Sequence, residues 1–464
     1  MPNMRIITFV TPLLLPLPSV VAAQALAQPA SPQPAQALTS TWDDPLKNIS
    51  LSDQFPLKLS IGGQARWRQE FFRSFNLGDI NDDNSQSRLA LNANLLLGHT
   101  GKWYGRVFLE GRDAQSYGRN LPGGARPADQ DRHDIQNLYA EAGYGKSMLR
   151  VGRQELSLNR DRLIGVPDWA NTRSGVEGVR GQIVKGPLAL EASVVRPMLV
   201  FQSRANQADS TARLNTFSIG SAPGARPLTS GLPALWQVYR YEQRLDAIGS
   251  SGSTKRITSG GRLQWQWTPG SHKANAASLE LEGAVQSGHA ATRKSDGWFW
   301  VAEAQWQWKR LAGKPSLALG VEEASSARND GGRDMEQFNM LYPAGHTHGG
   351  YADVFGRANL RELHAIATWD PTRILNLRAA AYRFDRLSLD DGVYNKASGL
   401  LRAAGSSRAR HAADEIDLTG TLALTKQLKL LFGGAVVLPG AFMQETAGGA
   451  NRERWGFVGT TFIF

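Results

Sequence analysis

The chain has 464 residues, a net charge of +11, 13 tryptophans and no cysteine. The missing cysteine excludes thiol catalysis, cysteine–metal centres and a small disulfide-stapled fold. The basic balance suits a polyanionic partner, but the cations are spread along the chain without a nucleic-acid-binding motif, which excludes a nucleic-acid reader.

The first 27 residues carry Arg5, an apolar run and an Ala-Leu-Ala stretch at 25–27, the layout of a cleaved secretory signal peptide. Residues 28–56, rich in Gln, Pro, Ala and Ser, read as a flexible leader. After the signal region no run of 18 apolar residues occurs, so no membrane-crossing helix is expected.

From residue 57 onward the dominant period is two. In 57–72, Leu57, Leu59, Ile61, Ala65, Trp67 and Phe71 share one face, and Lys58, Ser60, Gln64, Arg66, Arg68 and Glu70 share the other. A strand with one apolar and one charged face belongs between oil and water. Strands are expected at 57–75, 86–99, 102–117, 134–145, 147–159, 174–185 and 187–200. Two weaker patterns follow at 210–221 and 233–246. The series continues at 255–268, 277–288, 296–309, 315–325, 358–370, 372–385, 411–425, 427–441 and 452–464. In 296–309, Trp298, Trp300, Trp306 and Trp308 oppose Glu303, Gln305 and Gln307, and tryptophans near strand ends suit a membrane–water boundary. The final strand carries Gly456, Val458, Thr460, Phe462 and Phe464 on its apolar face.

Short links such as HTGK, YGKS and VKGP alternate with long ones at 76–85, 118–133, 160–173, 201–209, 326–357, 386–410 and 442–451. That rhythm is the one of periplasmic turns and extracellular loops; 222–232 is a long exception on the periplasmic side. The fold class is therefore all-β: a transmembrane antiparallel barrel of 18 strands, with 16 as the fallback, spanning 57–464.

The inward faces carry Lys58, Arg66, Arg68, Arg88, Arg106, Arg112, Arg180, Arg256, Arg262 and Arg378; Arg153, Arg162, Arg173 and Arg357 lie near strand ends or in loops. Guanidinium groups match carboxylates in bidentate geometry, and a basic lining draws anions. Inward acids are Glu70, Glu110, Glu141, Glu191, Glu280, Glu282, Glu303, Glu415 and Asp417, so the same arginines can instead brace a wet lumen through ion pairs. His346 and His348 offer two metal ligands with no clear third, and no GxSxG-type nucleophile site occurs. No catalytic residue, cofactor or metal is expected.

The stretches LRVGRQEL (149–156), DRLIGVPDWANTRSGVEGVRGQI (161–183), FNMLYPAGHTHGGYADVFGRANL (338–360), DEIDLTGTLAL (414–424) and VLPGAF (437–442) resemble the alginate export family of outer-membrane porins. The resemblance implies an eighteen-stranded monomeric barrel in the Gram-negative outer membrane, passing a polyuronate passively through a basic lumen. It implies a lumen role for Arg66 or Arg68, Arg112, Arg153 and Arg180, and a loop-structuring role for Asp168, Trp169, Asn171 and Arg173. Periplasmic secretion partners would accompany such a channel. The competing reading is a general or uptake porin for small anionic solutes.

Overall fold

A computed structural model describes residues 45–224, 235–247, 252–267, 275–330 and 333–464. The expected signal peptide, residues 28–44 of the leader and most of the 222–232 link lie outside these residues. Eighteen long strands run in chain order. They are β1 (Leu57–Arg73), β2 (Asp82–Gly98), β3 (Trp103–Tyr117), β4 (Asp131–Tyr144), β5 (Ser147–Gln154) and β6 (Val176–Lys185). Then come β7 (Leu188–Leu199), β8 (Ala212–Ser221), β9 (Leu235–Leu245), β10 (Thr254–Trp267), β11 (Asn275–Ala290) and β12 (Trp298–Trp308). The last six are β13 (Ser316–Ala324), β14 (Leu360–Trp369), β15 (Leu375–Arg386), β16 (His411–Ala423), β17 (Leu428–Pro439) and β18 (Glu453–Ile463). Both of the weaker sequence patterns are strands, β8 and β9.

Each strand pairs antiparallel with the next, and β18 pairs with β1 from Gln64↔Ile463 to Arg73↔Arg454. The ring is closed, so no strand edge is left unpaired, as backbone amides in a hydrocarbon layer require. Short connections lie at one end and long ones at the other, which places the long links outside the cell. The outward side chains are apolar and open: Val194 is 65% exposed and Leu418 62%. Such a belt is stable only against lipid.

The closing strand explains its own imperfect alternation. Val458, Thr460 and Phe462 face outward, whereas Trp455 and Phe457 turn inward and are buried. They pack on residues that arrive from distant loops. Among the described residues no helix is long and apolar enough to cross a membrane, and the strands do the crossing.

Candidate functional site: a loop diaphragm across the bore

Inward cations are most numerous on the first strands, with Arg66 and Arg68 on β1, Arg88 on β2, Arg106 and Arg112 on β3, Arg150 on β5 and Arg180 on β6, and the inward Glu70, Glu110, Glu141 and Glu191 stand among them. Inward acids concentrate across the ring: Glu280 and Glu282 on β11, Glu303 on β12, Glu322 on β13, Glu362 on β14, Glu415 and Asp417 on β16. Two extracellular links fold down between these walls.

The 155–175 link, between β5 and β6, reaches both walls. On the basic side, Arg66 donates to the carbonyl oxygens of Asp168 (2.6 Å), Trp169 and Ala170 and to Asn171 Oδ1 (3.2 Å). Arg68 donates to the Trp169 carbonyl at 2.7 Å and stacks over its ring at 3.9 Å. Arg88 pairs with the Asp168 carboxylate at 2.9 Å, and Arg173 reaches the same group. On the far side, Arg160 and Arg162 both grip Glu280, and Arg162 also meets Glu282 at 3.0 Å. With β1 and β11 on opposite sides of an eighteen-strand ring, one loop thus crosses the lumen.

The 325–359 link seals against it. The carboxylates of Glu415 and Asp417 accept from the Ala352 (2.7 Å) and Tyr351 (3.1 Å) amides, Arg357 pairs with Glu322, and Lys396 pairs with Asp353 at 2.8 Å. The two links join at a Ile164–Tyr342 bridge, and Arg357 Nη1 donates to the Arg162 carbonyl at 2.9 Å. Apolar loop residues Leu158, Leu163, Ile164, Phe338 and Met340 pack on the inward Tyr239, Tyr241, Phe299 and Val301. Trp169 packs on His346, Tyr351, Trp455 and Phe457, with centroids 4.7–5.4 Å apart. Burial of this apolar surface offsets the cost of ordering two long loops.

Charges within the diaphragm are perturbed accordingly. Although burial opposes it, the Arg88, Arg173 and Arg66 cations hold the Asp168 carboxyl well below the usual carboxylate range. Burial, reinforced by Arg162, Arg357 and Arg160, pushes His348 well below its ordinary value. His346 is also lowered by burial, against the pull of Asp353. On the periplasmic side of the loops, a cavity of about 260 Å³ opens between β6 and β10, lined by Gln182, Glu191, Ser218, Gln237 and Arg262.

A closed barrel with inward charged walls and loops folded into its bore is the architecture of a pore, and the sequence match decides which pore. A model described as alginate export matches residues 57–457. The chain belongs to the alginate export family. It is a channel-type barrel of the Gram-negative outer membrane. No curated protein matches it. Among solved structures it is similar to OpdK, an outer-membrane protein of Pseudomonas aeruginosa (TM-score 0.58, 12% identity, 87% of this chain and 99% of that one). It is similar also to OccK2 (OpdF) of Pseudomonas aeruginosa in complex with glucuronate (TM-score 0.59, 13% identity, 88% and 96%). At these identities the likeness concerns the fold.

In this alginate export barrel most of the sequence-derived cations face the bore with a carboxylate beside them. Arg68 meets Glu70 at 2.7 Å, Arg106 meets Glu141 at 3.3 Å, and Arg112 meets Asp131 at 2.6 Å. Arg180 meets Glu191 at 2.9 Å, Arg262 meets Glu280 at 2.8 Å, and Arg378 meets Asp417 at 3.5 Å. Glu110 accepts from Asn137 at 3.3 Å, and Lys58 lies on the inward face opposite Leu96 near the periplasmic end. Arg153 departs from the expectation of a lumen position. It alternates with the inward Gly152 and Gln154 and shares the outward face of Leu149 and Val151, with its guanidinium at the rim near Asp134 (3.4 Å) and Glu177 (3.7 Å).

His346 and His348 are part-buried in the diaphragm. His348 Nε2 meets the Arg160 carbonyl at 2.8 Å, and His346 Nε2 lies 3.3 Å from Asp353. Among the described residues no group of three metal-ligating side chains forms. Sequence reading missed Arg160, Tyr351 and Lys396, whose roles depend on where the loops dock. The Gly-rich, aromatic-containing length of 326–357 was the one available signal that this loop is ordered.

Proposed function

We propose that this barrel passes an anionic polysaccharide, alginate or a similar polyuronate, with Arg66 and Arg68 as the groups that the polymer engages. One observation carries the reading: Arg66 spends its hydrogen bonds on neutral oxygens, the loop carbonyls of Asp168, Trp169 and Ala170 and the Asn171 amide. A carboxylate is roughly twice as strong an acceptor for a guanidinium as a neutral oxygen. An incoming uronate therefore competes favourably with the loop, and successive uronates can replace one another as the chain advances. Passage is passive; binding has to be weak and repeated for the polymer to leave. The barrel acts as a monomer, with direction supplied by a gradient or by periplasmic partners.

The 260 Å³ cavity and the glucuronate held by OccK2 support a second reading, uptake of small anionic solutes. Planar-bilayer recording separates the two. Block of an anion-selective current by oligouronates at concentrations where monomeric glucuronate has no effect supports polymer passage. Anion selectivity with equal sensitivity to monomer and oligomer supports the small-solute porin.

A further inference from the structure

The outer face of the barrel carries a second charged feature, away from the lumen. Near the extracellular ends of β8 to β11, residues directly opposite each other in the sheet are all basic. Arg213 pairs with Arg244, Arg244 with Lys255, Lys255 with His289, and His289 with Lys294 of the short strand Arg293–Ser295. These positions alternate with inward, buried neighbours such as Leu214, Gln243 and Arg256, so the row faces outward. Arg240 lies below it, outward and exposed, between Phe217 and Ser259. Like charges directly opposite in a sheet destabilise it unless something else neutralises them.

Acidic relief from the protein is incomplete. Glu242 pairs with Arg244, and Asp296 lies 3.6 Å from Lys294 but is shared with Arg328 at 2.9 Å. Asp246 follows β9, with its amide on the Thr211 carbonyl. Among the described residues, Arg213, Arg240 and Lys255 have no carboxylate partner. The part of the adjoining turn outside those residues is Ile248, Gly249, Ser250 and Ser251, none of them acidic.

Depth identifies the partner. Trp265 and Trp267 mark the periplasmic end of the same face of β10. Lys255 lies a dozen residues further up that strand, which for a rise of about 3.3 Å per residue and a tilt of about 40° is ~30 Å along the membrane normal. That is the level of the outer-leaflet headgroups, while Arg240, some 10 Å lower, can extend its guanidinium up to the same layer. We propose that the Arg213–Arg244–Lys255 row, with Arg240 beneath it, binds the phosphate groups of the phosphorylated glycolipid of the outer leaflet.

The test uses the full barrel in detergent with defined lipid, read by native mass spectrometry and by the shift in unfolding temperature. Bis-phosphorylated lipid A should be retained by the wild type, and dephosphorylated lipid A should not. Arg213→Gln with Arg240→Gln and Lys255→Gln should weaken retention on the order of 100-fold, from about 1 kcal/mol per cation near an anionic surface. Arg383→Gln, on the outward face of β15 across the barrel, should retain lipid A as the wild type does. Unchanged heat-modifiable gel mobility would show that the triple variant has folded; if it does not fold, each single variant is measured instead. Equal retention by triple variant and wild type, or of both lipid forms, would overturn the assignment. So would full displacement by millimolar inorganic phosphate, which would make the row a general anion site.

Discussion

Asn171 is the residue whose loss should most cleanly open the diaphragm. Its side chain is almost wholly buried. Its amide donates to the carbonyls of Ser87 (2.9 Å), Gln115 (2.9 Å) and Asp129 (3.1 Å), while Oδ1 accepts from Arg66 at 3.2 Å. Two amide hydrogens serve three acceptors, so Asn171→Ala removes two net neutral hydrogen bonds at about 1 kcal/mol each and one to a charged group at about 1.5–3 kcal/mol. Arg66 keeps its other acceptors, which sets the expected cost near the low end, about 3.5 kcal/mol. The wall strands have their own ladder bonds, so the cost falls on docking of the 155–175 link rather than on the barrel. About 3.5 kcal/mol is a factor of roughly 300 in the docked-to-undocked ratio. Single-channel recording should show more frequent and larger openings, with the thermal unfolding of the barrel little changed. Wild-type conductance together with wild-type protease resistance of the loop would refute the claim that these bonds hold the loop in the bore. A collapse of barrel stability would place the residue's role in the wall instead.

Arg66→Ala combined with Arg68→Ala should reduce anion selectivity; an unchanged reversal potential in a salt gradient would remove both residues from the permeation path. Glu280→Gln withdraws the carboxylate shared by Arg160, Arg162 and Arg262, and removing one partner of a buried ion cluster costs about 3–5 kcal/mol; a melting temperature within a degree of wild type would contradict that. Acidification should release the 325–359 link. His346 and His348 are held below the ordinary histidine value when docked, so the released loop binds more protons and docking is complete above pH about 6.5 and weakens as pH falls below it, by up to about 1.4 kcal/mol per pH unit for each histidine. Asp353, held low by His346 and Lys396 against the effect of burial, adds in the same direction at lower pH. Conductance that rises between pH 7 and 5, and flattens in His346→Asn with His348→Asn, is the expected result; a pH-independent trace would count against it. Gly350 has a positive φ of 82°, and a Cβ there would collide with the Glu415 carboxylate, so Gly350→Val should leave the 325–359 link undocked, seen as faster proteolysis within 338–357.

The barrel is legible in the order of the amino acids alone. Alternation such as Leu57, Leu59 and Ile61 against Lys58, Ser60 and Gln64 is a partition between lipid and water, a local property that each strand carries alone. It yielded the strand number, the two faces and the side on which the long links lie. It failed locally at Arg153, where the flanking glycine at 152 hides which face is polar; at β18 the alternation put Trp455 and Phe457 on the inward face, where they lie, but gave no sign of the loop residues they pack on. What fills the bore follows from the folded arrangement of the loops. Arg66 and Asn171 are 105 residues apart, Arg162 and Glu280 118, and His348 and Arg160 188. No period or spacing encodes those meetings, because they arise when closure of the ring brings β1 and β11 to opposite walls and leaves two loops the space between them. Pairing of the consecutive strands β8, β9 and β10 likewise sets Arg213, Arg244 and Lys255 side by side, since register between strands, not position along one, creates a row.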